Sequence, residues 1–314
     1  MNIYTSLEKP IYSLAPMEDV TDTVFRQIIT GIKRPDLLYT EFVNVDGLFS
    51  VGRDKVMTRL KFLPIEKPLI VQLWGSNPDY FYYATRFVKD MGFDGVDINM
   101  GCSVSKVTNK GAGSGLMNAD RGLVKDIISA VKDGADDLPV SVKTRVGWLG
   151  YDMDWIRFLL EQDLDVLTVH GRTATGVHSK TPNWGRIRAS VDIRNELGKK
   201  TLIFGNGGIG TLKLADKRVR TCKVDGIMIG KEAIHNPWIF SGRDFVPVSE
   251  SFETFRRHIL LFKDTWGETK DFNTLKKFVG SYVNGFVGSQ DIRNEMMKTT
   301  TLDELLEQVE KLIK

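Results

Sequence analysis

The sequence predicts a (β/α)8 TIM barrel followed by a small C-terminal all-helical domain. Two patterns carry the prediction. Eight short, nearly continuous apolar runs alternate with longer amphipathic segments up to residue 240, and beyond Pro247 the periodicity is helical to the end. A strand that is apolar along its whole length is covered on both faces, as in a parallel sheet wrapped by helices. Eight such repeats favour a closed barrel over an open doubly wound sheet. The 314 residues suit a barrel of roughly 250 residues with an appendage.

The runs can be taken in order. Ile11–Ala15 is the first strand and ends in Ala15-Pro16-Met17-Glu18. Leu37–Thr40 is the second. Leu69–Leu73 is the third and ends with Gln72. Gly95–Asn99 is the fourth; it delivers Asn99 and, past Gly101, Cys102. Val140–Thr144 delivers Lys143 and Arg145. Val166–His170 delivers His170, then Gly171-Arg172-Thr173. Leu202–Asn206 runs into Asn206-Gly207-Gly208, and Gly226–Gly230 ends in Gly230-Lys231. Helical patterns lie between them at Asp79–Met91, Asp120–Lys132, Asp152–Gln162 and Trp184–Leu197. Asp120 is placed to cap the helix that carries Leu123, Ile127, Ile128 and Val131. After a linker at Phe245–Ser251, the apolar stripes through Leu275, Phe278, Val279, Tyr282 and Phe286, and through Leu302, Leu305, Leu306, Val309 and Leu312, predict a bundle over Glu250–Lys314. The expected domains are 1–244 for the barrel and 245–314 for the helices.

Composition narrows the class. Hydrophobic residues make up 42% and charged residues 26%, as in a soluble globular protein. No apolar run approaches the ~18 residues that span a membrane, and MNIYTSLEKP lacks a signal pattern. The two cysteines, Cys102 and Cys222, form neither a metal motif nor a redox pair. The expectation is a cytoplasmic enzyme with reduced thiols and no metal, for which no oligomeric partner is implied. The net charge of +3 permits a nucleic-acid partner without arguing for one. Residues 241–314 hold 11 Lys and Arg against 12 Asp and Glu, so the helical segment is not basic. Its local cationic pairs are Arg256-Arg257 and Lys276-Lys277, which equally suit a solvated helix face. Further basic candidates are Lys33, Arg34, Arg53, Lys55, Arg59, Lys61, Lys106 and Lys110.

Barrel chemistry collects at the C-terminal ends of the strands, and polar residues recur there in this chain while the strand middles are aliphatic. Glycine-rich turns after strands seven and eight are where such barrels hold phosphate. Gln72, Lys143 and His170 suit a flat heterocycle with carbonyl and ring-nitrogen edges. The plain alternative for Lys143 is a strand-end salt bridge. Cys102 lies beyond its strand, between Gly101 and Ser103, ahead of a loop with Lys106, Lys110, Gly111, Gly113 and Gly115. A thiol there is a buried filler or a group with chemistry. With an ordinary pKa near 8.5 it is mostly protonated at neutral pH and can donate a proton. A nucleophile would want a neighbouring base, and none is adjacent in sequence. Cys222 precedes strand eight, at the opposite end of the barrel, and reads as structural.

Six motifs in order resemble the flavin-dependent tRNA-dihydrouridine synthases. They are Ala15-Pro16-Met17-Glu18-Asp19-Val20-Thr21-Asp22, Asp97-Ile98-Asn99-Met100-Gly101-Cys102, Val142-Lys143-Thr144-Arg145, His170-Gly171-Arg172-Thr173, Gly205-Asn206-Gly207, and Met228-Ile229-Gly230 followed by Asn236-Pro237-Trp238. The resemblance implies an FMN-containing barrel that reduces the C5=C6 bond of uridines in tRNA with NADPH as electron donor. It implies flavin contacts from Pro16, Met17, Glu18, Gln72, Lys143 and His170. Asn206, Gly207, Gly208, Gly230 and Lys231 would hold the phosphate and ribityl region. Asn99, Lys143, Arg145 and Arg172 would orient the uracil, and Cys102 would protonate C5. The helical segment would recognise tRNA. The chain departs from the family pattern at Ser103, where proline is common, at Lys231, where arginine is usual, and at Gly208, where aspartate is usual. Rival readings are an FMN barrel acting on a free pyrimidine, similar to dihydroorotate dehydrogenases, an RNA-binding factor that keeps flavin as structure, and a phosphosugar barrel without flavin.

Overall fold

The computed structural model describes residues 2–175, 181–243 and 245–313. The first-to-second domain boundary expected at 244 and the last residue, Lys314, lie outside the described residues. Eight parallel strands form one sheet: β1 (Ile11–Leu14), β2 (Leu38–Asn44), β3 (Leu69–Trp74), β4 (Gly95–Met100), β5 (Val140–Arg145), β6 (Val166–His170), β7 (Leu202–Asn206) and β8 (Gly226–Ile229). The order is β1-β8-β7-β6-β5-β4-β3-β2. Ser13 of β1 forms an isolated parallel bridge with Leu37, the residue before β2, so the sheet curls until its edges touch. The outward-packed strand residues Val71, Val96, Ile98, Val142, Leu167 and Ile203 are fully buried, as the continuous apolar runs require.

Most boundaries fall within one or two residues of the sequence reading, and three of the differences bear on the site or on the helical segment. β2 runs four residues past Thr40, because Glu41 is not a surface break. Glu41 is buried and accepts the Asp19 amide at 2.7 Å, with the Lys270 ammonium 3.8 Å away. β3 continues to Trp74, which leaves Gln72 two residues short of the strand end. The helix expected behind a linker ending at Ser251 starts at Val248, since Ser251 is buried and donates to the Tyr282 carbonyl at 2.8 Å. Asp120 caps the Arg121–Ala135 helix as expected, accepting from the Gly122 amide at 2.8 Å.

The C-terminal helices share the core of the sheet domain. Val248–Trp266 packs on the Thr23–Lys33 helix, where Phe25 meets Phe278 at a centroid distance of 4.7 Å and stacks on His258 at 5.9 Å. Burial drives the His258 pKa down to about 4, so this ring stays neutral in the core. Trp266 and Lys270 both donate to Asp22, at 2.9 and 2.8 Å. The stripe residues Leu275, Phe278, Val279, Tyr282, Leu305 and Val309 are buried, as the periodicity predicts. Three of the four cations in the basic pairs have partners, while Arg257 is exposed. Lys276 donates to the Thr299 and Met297 carbonyls, Lys277 to the Asp19 carbonyl, and Arg256 pairs with Glu310.

One buried ion pair fixes the segment after β1. Arg26 and Glu66 are both fully buried, 2.6 Å apart, and Arg26 also holds the Thr21 and Lys61 carbonyls. Thr21 in turn accepts from the Met17 amide at 2.9 Å. Removing one partner of such a pair strands a charge in the core and costs about 3–5 kcal/mol. The pair therefore stabilises the Pro16-Met17-Glu18 turn from behind.

Candidate active site

At the C-terminal rim of the sheet lies a cavity of about 370 Å³, within the ~300–1,000 Å³ range of small-molecule sites. It is lined by Ala15, Pro16 and Met17 from the β1 end, by Lys143 from β5, and by His170 and Arg172 from β6. Asn206, Gly207 and Gly208 follow from β7, then Gly230 and Lys231 from β8, with Glu232 and His235 behind them. Ten of the residues singled out in the sequence thus line one cavity. Glu232 and His235 were not singled out; the only available signal was their place within a turn of Gly230-Lys231.

The floor of the cavity is set by β7 and β8. The Asn206 amide donates to the Met228 carbonyl at 2.7 Å, and the Gly171 amide donates to the Asn206 carbonyl at 3.1 Å. Gly207 has φ +121°, and a Cβ there would sit 3.2 Å from His170 Nε2 and 3.0 Å from Pro182 Cγ. The positive φ and the close approach of Pro182 and His170 both require glycine at this position. The Arg172 amide donates to His170 Nδ1 at 3.1 Å, which puts the proton of the neutral ring on Nε2.

Lys143 is half-buried in the cavity wall and makes no ion pair or side-chain hydrogen bond among the described residues. The strand-end salt bridge is therefore not its role. Burial, and then the neighbouring Arg145 charge, lower its pKa to about 8, while Asp97 and Cys102 oppose the shift. An unpaired ammonium facing a cavity suits an electron-rich edge on whatever occupies it.

The other expected residues lie beside or beneath the cavity. Glu18 pairs with Arg59, whose Nε lies 3.0 Å from Glu18 Oε1, and Glu18 Oε2 is buried without a hydrogen-bond partner among the described residues. Arg145 donates to the Gly101 and Thr173 carbonyls at 2.6 and 3.2 Å, tying the β4 and β6 ends together. Gln72 and Asn99 are buried under the rim and bonded to each other at 2.8 Å. Cys102 is partly buried at the top of β4, and its amide donates to Asn99 Oδ1 at 2.9 Å. Burial pushes the thiol pKa up; the Val104 amide, Lys143 and Arg145 only partly offset this, so the thiol stays protonated at neutral pH. Cys222 is buried and reaches the Trp184 carbonyl, a structural setting.

The stretch after Cys102 is more ordered than a glycine-rich loop suggests. It forms helical turns at Ser105–Thr108 and Gly113–Asn118. Gly113 has φ +58°, and a Cβ there would fall 2.7 Å from the Cys102 carbonyl oxygen. The Ser114 amide donates to that same oxygen at 2.8 Å. Lys110 lies over the Trp74 ring at 5.9 Å. Among the described residues no helix is long and apolar enough to cross a membrane.

Comparison with known proteins adds to this geometry. The family model described as dihydrouridine synthase matches residues 13–314. A "Probable tRNA-dihydrouridine synthase" of Staphylococcus aureus (strain COL) is 37% identical over 308 residues, covering 96% of this chain and 93% of that protein. A protein of the same name from Staphylococcus epidermidis is 37% identical over 311 residues, covering 98% and 94%. "Probable tRNA-dihydrouridine synthase 2" of Bacillus subtilis (strain 168) is 36% identical, covering 97% and 94%. Among solved structures, morphinone reductase superposes with a TM-score of 0.56 at 13% identity, over 76% of this chain and 86% of that one. The old yellow enzyme homologue of Zymomonas mobilis gives 0.50 at 13% identity, over 72% and 85%. The structural likenesses speak to the fold of the sheet.

Proposed function

This chain belongs to the dihydrouridine synthase family, and from that premise we propose that it reduces uridines in tRNA to dihydrouridine in the cytoplasm, using FMN and NADPH. The catalytic unit is a closed (β/α)8 barrel over residues 1–244, and residues 245–314 form the tRNA-recognition domain. The observation that carries the reading is Lys143. A half-buried ammonium without an ion pair among the described residues lines the same cavity as the Asn206-Gly207-Gly208 and Gly230-Lys231 turns. That donor set fits a flavin mononucleotide, which has an electron-rich ring edge at one end and a phosphate at the other.

Pro16, Met17, Glu18, Gln72, Lys143 and His170 would hold the ring system. Asn206, Gly207, Gly208, Gly230 and Lys231 would hold the ribityl phosphate. Lysine at 231 supplies charge without the planar fork of an arginine. When bound, the flavin supplies the hydride that C6 of the uracil receives, and NADPH restores it. The chain's own residues supply the rest. Asn99, Lys143, Arg145 and Arg172 orient the uracil. The Cys102 thiol gives its proton to C5, so hydride and proton together saturate the C5=C6 bond. The base must leave its stack to reach a recessed cavity, as in other base-modifying enzymes.

The test is anaerobic and spectroscopic. Purified protein is expected to be yellow, to release FMN on heating, and to bleach with NADPH. Colour should return on adding tRNA that lacks dihydrouridine, and free uridine should restore it far more slowly. A colourless protein that takes up no FMN contradicts the reading. Equal reoxidation by free uridine favours the free-pyrimidine alternative.

A further inference from the structure

A polar chain runs up through the barrel beneath the site, and nothing in the proposed reaction uses its lower half. Gln72, Asp97 and Ser141 share one register row across β3, β4 and β5. All three are fully buried. Ser141 Oγ donates to Asp97 Oδ1 at 2.6 Å, and Gln72 Nε2 donates to Asp97 Oδ2 at 2.6 Å. Asn99 Nδ2 donates to Gln72 Oε1 at 2.8 Å. Asn99 Oδ1 then accepts the Gly101 and Cys102 amides at 3.1 and 2.9 Å. From below, Tyr4 Oη reaches Ser141 at 3.2 Å.

The direction of this chain is forced at both ends. An ionised carboxylate only accepts, and a backbone N–H only donates. Between them stand two side-chain amides, each of which could point either way. Asp97 makes Gln72 present its nitrogen downward and its oxygen upward. That oxygen makes Asn99 present nitrogen to Gln72 and oxygen to the turn. Reversing Gln72 sets its oxygen against the Asp97 carboxylate and its nitrogen against Asn99 Nδ2, and reversing Asn99 sets its nitrogen against the Gly101 and Cys102 amides. Hydrogen bonds to an ionised group are roughly twice as strong as neutral ones, so the anchor is the strongest link. A buried carboxylate with no cation within ion-pair distance among the described residues is costly, and burial lifts its pKa to about 6. That cost is offset here by two short charge-assisted bonds.

We propose that Asp97 is a positioning residue: its carboxylate fixes the Gln72 and Asn99 amides in one orientation and thereby holds the Gly101–Cys102 turn that presents the thiol. The proposal rests on the reading of Cys102 as the proton donor. Asp97 itself lies below the cavity and acts through Gln72 and Asn99.

The test reads the turn directly, by amide hydrogen exchange over residues 99–104 and by the iodoacetamide alkylation rate of Cys102 in a Cys222→Ser background. Asp97→Ala should speed exchange at Gly101 and Cys102 at least tenfold and change the alkylation rate severalfold. Asp97→Asn can still present an oxygen to Gln72 and should lie between Asp97→Ala and the wild type. Ser141→Ala removes the other bond to Asp97 and should leave both readouts within twofold. The Gly171 amide, bonded to Asn206 across β6 and β7, serves as the internal control and should not change. If Asp97→Ala does not fold, the graded Asp97→Asn result decides. Exchange in Asp97→Asn within twofold of the wild type, or an equal response in Ser141→Ala, overturns the proposal. In active protein Asp97→Asn should lower kcat while KM for tRNA stays within twofold. Wild-type protein that makes no dihydrouridine overturns the proposed function, yet the exchange result still stands or falls separately.

Discussion

Cys102→Ala is expected to lower dihydrouridine formation by about 10²–10⁴-fold, the range supplied by a positioned general acid, while FMN content and bleaching by NADPH stay at wild-type levels. The split follows from where the thiol sits. Cys102 tops β4 outside the walls of the cavity, so its removal deletes no contact that would hold the flavin. Burial keeps the thiol protonated at neutral pH, which is the state a proton donor needs. The turn is braced from two sides, by Asn99 Oδ1 on its amide and by Ser114 on its carbonyl, so the missing acid cannot be replaced by a shifted neighbour. Stopped-flow measurement of the two half-reactions separates the effects. Unchanged turnover in the variant would remove Cys102 from its role, and lost bleaching by NADPH would move that role to the cofactor.

Lys143→Met is expected to lower kcat by about 10²–10³-fold, the usual cost of removing one preorganised charge from a transition state, and to weaken FMN retention as well. The pH dependence follows from its environment. Burial and Arg145 set the pKa of this ammonium at about 8 in the ligand-free protein. The charged form is therefore present below that pH and is lost as pH rises through it. FMN affinity measured by titration into stripped protein should fall along the same limb. Lys143→Arg keeps its charge at all working pH values and should erase the limb, at some cost in fit. A Lys143→Arg profile that still breaks near pH 8 assigns the limb to another group.

The fold was legible because apolar residues dominate the strands and most of the intervening helices carry an apolar stripe, the Trp184–Glu196 helix being the exception. It was less legible where a polar residue is buried with partners. Glu41 looks like the end of β2, yet the Asp19 amide and Lys270, the latter 229 positions on, make it part of the strand. No local pattern contains that partner. The cavity walls were legible for a different reason. Strand order around the sheet brings the end of every strand to one rim, so a list of strand ends is already a list of neighbours. Depth along a strand was not legible from such a list. Gln72 and Asn99 stand under the rim, and nothing in the sequence assigns Asp97, two residues before Asn99 and so on the same strand face, a part in their network. The cations Lys276, Lys277 and Arg256 suit either an RNA face or a solvated helix face from sequence alone, because their partners, the Thr299 and Asp19 carbonyls and Glu310, lie far along the chain.

The most direct measurement is the dihydrouridine content of tRNA before and after treatment with the purified protein. Transcribed tRNA, which carries no dihydrouridine, is incubated with the enzyme, FMN and NADPH, digested to nucleosides and quantified by mass spectrometry. The account predicts dihydrouridine in a fixed stoichiometry per tRNA, dependent on NADPH, and reduced to background by Cys102→Ala. No dihydrouridine from FMN-loaded protein, either on the transcript or on tRNA from cells of the source organism that lack this gene, would contradict it.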